Sequence, residues 1–179
     1  MAKPSIPQMA SSSSIISSTA NDNHLSLVSD TQLLFQSIGS FQNLPEVSIK
    51  KSFFSDMIRD LLKVDHIERG RVSCSLTVTP HVTNAYGTLH GGAVAIVAEL
   101  VAMACARTIV DDDKDLFLGE LAMSYLSSAG LNVELEVDGC IVRSSRNIMV
   151  ASVEFRIKET KKVVYTARAT FYIMPLANL

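Results

Sequence analysis

Between Ala93 and Val110 only Glu99, Arg107 and Thr108 are clearly polar. A helix that is apolar on every side has two homes, the middle of a soluble core or a bilayer. The soluble core is favoured, because Glu99 stands near the centre of the run, where a hydrocarbon environment costs about 3 kcal/mol per charged residue. The neighbouring segment also reads as part of a soluble sheet. From Arg71 to Thr79, Val72, Cys74, Leu76 and Val78 point one way and Ser73, Ser75, Thr77 and Thr79 the other, the pattern of a strand with one buried face. Pro80 ends that strand, and a loop from His81 to Gly92 leads into the apolar run.

Before the strand, Phe53, Phe54, Met57, Ile58, Leu61 and Leu62 recur at helical spacing between Ser52 and Val64, with Ser52 as the expected cap. After the acidic turn Asp111 to Asp115, strands are predicted near 116–126, 132–142, 148–158 and 163–174. The predicted order is therefore helix, strand, long buried helix, then four strands. It suits an α+β domain over residues 51–176, in which an antiparallel sheet wraps around one central helix. A lone sheet covers one side of that helix, and a second copy of the chain is the natural cover for the rest.

Residues 29–50 form an N-terminal extension in which Asp30 is expected to cap a short helix through Leu33, Leu34 and Ile38, closed by Gly39. Residues 1–28 are Ser-rich and read as a disordered tail. Ile15-Ile16 is too short an apolar core for a signal peptide, and Lys3 against Asp22 is not the Arg-rich balance of a transit peptide. Ala177-Asn178-Leu179 vaguely resembles a degenerate form of the C-terminal peroxisomal tripeptide, and the expected address is the cytoplasm or the peroxisome.

With 47% apolar and 19% charged residues the chain can fill a core, and its formal charge of -2 argues against the nucleic acid backbone or an anionic membrane as principal partner. An anionic ligand then needs a local basic patch. The three cysteines, Cys74, Cys105 and Cys140, form no CxxC pair and fit a reducing compartment. The four histidines show no metal-ligand spacing, so no metal and no cofactor are expected. GxSxG and GxxxxGK[ST] are absent.

Candidate chemistry sits in Asn84-Ala85-Tyr86-Gly87-Thr88-Leu89-His90-Gly91-Gly92 and in Glu99. Gly91 and Gly92 stand at the helix start, where free N–H groups and the positive end of the dipole can meet an anion or a developing oxyanion. In an isolated HGG the same glycines more often serve only tight turning and close packing. Glu99 is harder to dismiss, since a carboxylate on an apolar helix must be paired, protonated or useful. A buried ion pair with a strand arginine is the structural alternative. Gly91 and Glu99 are separated by about 12 Å of helix at 1.5 Å per residue. If both act on one carbonyl, the glycine of one subunit must work with the glutamate of another. The carboxylate would then attack the carbonyl or activate a water, while the glycine N–H holds the oxyanion. The run Arg143, Ser144, Ser145, Arg146 and Asn147 reads as a basic turn suited to phosphate or as a solvated hairpin tip. Lys161, Lys162 and Arg168 are weaker candidates of the same kind.

Read as NxxGxLHGGxxxxxxE, Asn84 to Glu99 resembles the signature of the hotdog-fold thioesterase superfamily, specifically its small PaaI-like and 4-hydroxybenzoyl-CoA-type members. The resemblance covers about residues 50–175. It implies that Asn84 positions the thioester, Gly91 supplies the oxyanion N–H and Glu99 is nucleophile or general base, with His90 and Gly92 inside the same motif. It also implies that Tyr125 and Ser127 line the CoA or acyl channel. The turn Arg143 to Asn147 would hold CoA phosphates, with Lys162 as a further cation. Two positions depart from the pattern: Leu118 stands where many members carry an assisting Ser or Thr, and Met103 where a hydroxyl often follows the acid by one turn. The function implied is hydrolysis of an acyl- or aryl-CoA thioester to free acid and CoA by a homodimer or homotetramer. The alternative is a non-catalytic hotdog protein that binds acyl-CoA. A hotdog dehydratase is disfavoured, because that branch pairs its His with an acid in another motif.

Overall fold

The computed structural model describes residues 46–175, with a few scattered positions before them. Its strands are β1 (Leu62–Glu68), β2 (Arg71–Thr77), β3 (Lys114–Tyr125), β4 (Glu134–Ser144), β5 (Ile148–Ile157) and β6 (Val163–Pro175). Its helices are α1 (Phe53–Leu61) and α2 (Gly91–Arg107). The strands form one six-stranded sheet in the order β1-β2-β4-β5-β6-β3, and each neighbouring pair is antiparallel. The expected tail over 1–28, the short helix from Asp30 and the C-terminal tripeptide lie outside residues 46–175.

Alternation builds the core. Leu135 and Val137 of β4, Met149, Ala151, Val153 and Phe155 of β5, and Ala167, Ala169 and Phe171 of β6 all face inward and are buried. Across that surface lies α2, with Ala93, Val94, Val97, Ala98, Val101, Ala102, Cys105 and Ala106 buried. Most of these side chains are small, so the helix axis can sit close to the sheet while each buried valine still contributes about 1.5–3 kcal/mol. The far end of α2 is tied down by Thr108, whose hydroxyl donates to the Cys105 carbonyl at 2.7 Å and accepts the Gly70 N–H at 2.7 Å.

The structure corrects several expectations. The helix predicted over Ser52–Val64 stops at Leu61, and the chain continues directly into β1, a strand the hydrophobic pattern did not reveal. Nearly all of β1 is exposed, so it carries no buried alternation, and it is held by backbone pairing to β2 across a turn at Gly70, which has φ of 79°. The order is therefore helix, two strands, long helix, four strands. Ser52 has φ of 67° and caps α1 with no side-chain hydrogen bond. On β2, Ser75 is buried although alternation assigned it to the open face.

The central helix is also not buried all round. Leu100 is 45% exposed, and Ile96, Glu99 and Met103 are half-buried, so one stripe of α2 stays uncovered within the chain. Beside that stripe runs a groove of about 450 Å³, walled by Phe54 and Ile58 of α1, Leu62, and Ile96 and Leu100 of α2. Among the described residues no helix is long and apolar enough to cross a membrane.

Candidate active site

The loop before α2 is organised by Asn84. Its Oδ1 accepts the Tyr86 N–H at 3.0 Å and the Thr88 N–H at 3.2 Å, and its Nδ2 donates to Thr88 Oγ at 3.0 Å. Its backbone N–H donates to the Thr88 carbonyl at 2.8 Å, closing a turn in which Gly87 takes φ of 70°. The side chain expected to position a thioester is thus engaged by its own loop. Thr88 is its main partner, and nothing in sequence spacing singled Thr88 out.

At the start of α2, His90 is the N-cap and its Nδ1 accepts the Gly92 N–H at 3.0 Å. The Gly91 carbonyl accepts the Tyr125 hydroxyl, also at 3.0 Å, so the end of β3 reaches the first turn of the helix. Among the described residues no acceptor within the chain meets the Gly91 N–H. It is an open donor at the positive end of a 17-residue helix. Sequence reasoning placed Gly91, Gly92, His90 and Tyr125 in two separate motifs, and the fold brings them together.

Tyr165 was not anticipated. Its ring meets Tyr125 edge-on at 5.8 Å and Phe155 at 5.8 Å, and its hydroxyl accepts the Ala129 N–H at 3.1 Å. Burial pushes the Tyr165 hydroxyl above the ordinary tyrosine range; the Ala129 hydrogen bond opposes that rise and Tyr125 adds to it. In sequence it was one aromatic in a strand pattern, and only strand pairing reveals its place under Tyr125.

Glu99 lies on the partly uncovered stripe of α2, half-buried rather than enclosed. No cation lies within ion-pair distance of it, so the alternative of an intrachain ion pair is not realised among the described residues. Leu118 and Met103, the two departures from the motif, are half-buried and pack against the core.

The expected CoA contacts fall in two groups. Ser127 accepts the Lys162 Nζ at 3.1 Å close to the first residues of β6. Arg143 and Ser144, expected in a turn, are the last residues of β4, and Ser145, Arg146 and Asn147 form the turn to β5; all five are exposed. There Ser145 Oγ donates to the Ile148 carbonyl at 2.9 Å, and the Asn147 carbonyl accepts the Ile173 N–H near the end of β6. Tyr165 and Ile173 are eight residues apart on β6, a span of about 26 Å at 3.3 Å per residue. Within one chain the basic turn is therefore remote from Gly91, Tyr125, Ser127 and Lys162. It lies instead at the end of the sheet that receives the C-terminus of α2, where Arg107 donates to the Lys114 carbonyl at 2.8 Å.

Comparison with known proteins places this arrangement. The family model for the thioesterase superfamily matches residues 86–164. Human acyl-coenzyme A thioesterase 13 is 25% identical over 104 residues, covering 58% of this chain and 74% of that protein. The crystal structure of zebra fish thioesterase superfamily member 2 superposes with a TM-score of 0.62 at 20% identity, covering 73% of this chain and 99% of its own. A Streptococcus mutans protein whose crystal structure holds acetyl CoA gives a TM-score of 0.59 at 23% identity, over 64% of this chain and 89% of that one. The matched span runs from the loop before α2 to the start of β6, and the domain has the hotdog fold of these solved thioesterase structures and resembles the thioesterase superfamily.

Proposed function

We propose that this protein hydrolyses an acyl- or aryl-CoA thioester to the free acid and CoA at a site shared between two copies of the chain. The observation that supports this most is the open Gly91 N–H at the head of α2, beside a Gly92 N–H already taken by His90. The thioester carbonyl oxygen is placed against the Gly91 N–H, where the helix dipole adds to the hydrogen bond as negative charge develops. Glu99 of the partner subunit supplies the carboxylate. It either attacks the carbonyl carbon, expelling CoA thiolate and leaving a mixed anhydride for water to open, or it takes a proton from a water that attacks. Asn84 acts through the loop it holds, whereas Tyr125 and Ser127 border the approach.

A two-fold arrangement with antiparallel α2 helices answers both gaps of the single chain. It sets the glycine of one helix toward the glutamate of the other, and it carries the partner's basic turn toward the Gly91 end, where Arg143 and Arg146 of the partner subunit can meet CoA phosphates beside Lys162. The relatedness to acyl-coenzyme A thioesterase 13 supports CoA as the leaving group.

Leu118 and Met103 support a second reading, a protein that binds acyl-CoA without turning it over, because both put apolar side chains where a hydroxyl would assist. One experiment separates the two. Purified full-length protein is incubated with a panel of aliphatic and aromatic CoA thioesters, and free thiol is followed with time. Catalytic thiol release supports hydrolysis, while saturable binding without release favours the second reading.

A further inference from the structure

One peptide plane at the head of α2 is held from both ends. Its carbonyl, that of Gly91, accepts the Tyr125 hydroxyl at 3.0 Å, and its N–H, that of Gly92, donates to His90 Nδ1 at 3.0 Å. Because the peptide is planar, anchoring both ends fixes the ψ rotation of Gly91, a residue with no side chain to restrict it, while the preceding plane, which carries the Gly91 N–H, is held through the His90 carbonyl, which accepts the Val94 N–H at 3.1 Å. Accepting through Nδ1 leaves the neutral His90 proton on Nε2.

Each clamp is itself anchored, Tyr125 to the sheet and His90 to the loop before α2. The Tyr125 ring stands edge-on against Tyr165 at 5.8 Å with an interplanar angle of 70°, and Tyr165 stands against Phe155. The Ala129 N–H donates to the Tyr165 hydroxyl, and the Ala129 carbonyl accepts the Leu89 N–H at 2.8 Å. The His90 N–H donates to the Val82 carbonyl at 2.8 Å. The residues on either side of Gly91 are therefore held to the same framework. Tyr125 is nevertheless 53% exposed, so burial of its ring does not by itself explain a tyrosine here, whereas its hydroxyl has the Gly91 carbonyl as partner.

We propose that Tyr125 is a positioning residue that, together with His90, locks the Gly91–Gly92 peptide so that the Gly91 N–H stays free and aimed at the thioester oxygen. This rests on the thioesterase reading above. Donors preset toward a developing oxyanion need no reorganisation during reaction, so loosening the plane weakens transition-state stabilisation more than ground-state binding.

The test compares wild type with Tyr125→Phe, which keeps the ring and removes the hydroxyl, and with His90→Ala. For each, kcat and KM are measured with an acyl-CoA substrate, and hydrogen exchange of the Gly92 amide is followed by NMR on the full chain. In Tyr125→Phe, kcat should fall about tenfold while KM stays within about twofold. Gly92 exchange should quicken about tenfold in both variants. The proposal is overturned if Gly92 exchange in Tyr125→Phe is unchanged, whatever happens to kcat, or if exchange quickens while kcat in an active enzyme does not fall. A rise in KM alone also overturns it, by assigning Tyr125 to substrate contact. If wild type releases no CoA, the thioesterase reading fails separately, and Gly92 exchange still decides whether the clamp exists.

Discussion

Gly139 of β4 lies directly beneath Val101 of α2: a Cβ built on the glycine would fall 2.7 Å from Val101 Cγ1 and 2.7 Å from Cys105 Sγ. That contact sets how closely the central helix approaches the sheet. Both atoms belong to buried side chains, so neither has room to move aside. Gly139→Ala should therefore cost about 1–3 kcal/mol through overpacking. Thermal melting of the variant should show a drop of several degrees, and an unchanged midpoint would mean that α2 is not seated as described.

Much of this architecture was legible before folding, for reasons that can be traced to residues. Met149, Ala151, Val153 and Phe155 are all buried on one side of β5, so period-two alternation identified the strand nearly to its ends. The run after Gly92 marked α2, and the separation of Gly91 from Glu99 within one helix follows from helical rise alone. Strand β1 was hidden because Val64 and Ile67 are exposed, leaving no buried face for the pattern to report. The meeting of Tyr125 with Gly91 and of Tyr165 with Tyr125 was hidden for another cause: both depend on the order in which strands pair, with β3 beside β6 at the edge of the sheet. Sequence spacing says nothing about such long-range neighbours.

Burial distinguishes the three thiols. Loss of water contact pushes Cys74 up from an ordinary 9.0 to about 11, with Asp65 and Asp138 adding to the rise, and burial does the same to Cys105. Cys140 is half-exposed and lies 3.2 Å from Ser152 Oγ. A thiol-disulfide reagent at pH 8 should label Cys140 in the native protein and all three cysteines only after unfolding. Because the folded state favours the protonated thiols, their contribution is complete below pH 9 and is lost as pH rises from about 9 to 11. Rapid native labelling of Cys105 would contradict the helix packing.

The proposed shared site requires more than one chain. Light scattering at micromolar concentration should return the mass of two or four copies for the active protein. A mass equal to one chain, with hydrolysis intact, would rule out a glycine and a glutamate drawn from different subunits.

The proposed phosphate recognition at the turn between β4 and β5 is tested by comparing two substrates. Arg143→Ala combined with Arg146→Ala should raise KM for an acyl-CoA by about tenfold or more, yet leave KM for the corresponding pantetheine thioester within about twofold. Equal effects on the two substrates would assign the turn to ordinary solvent exposure.

The role of Glu99 carries the whole account, and Glu99→Gln tests it with the least disturbance. The substitution keeps the shape of a half-buried side chain and removes its charge. With no cation within ion-pair distance among the described residues of its own chain, no intrachain partner is stranded by the change. Thermal melting should stay within about 1 kcal/mol of wild type, because a surface-accessible substitution without a lost partner costs little. Thioester hydrolysis by the same preparation should fall at least about a hundredfold in kcat if the carboxylate is nucleophile or base. Measured side by side, a well-folded Glu99→Gln protein that has lost hydrolysis is the predicted result, and a well-folded one that hydrolyses acyl-CoA at nearly the wild-type rate would contradict it.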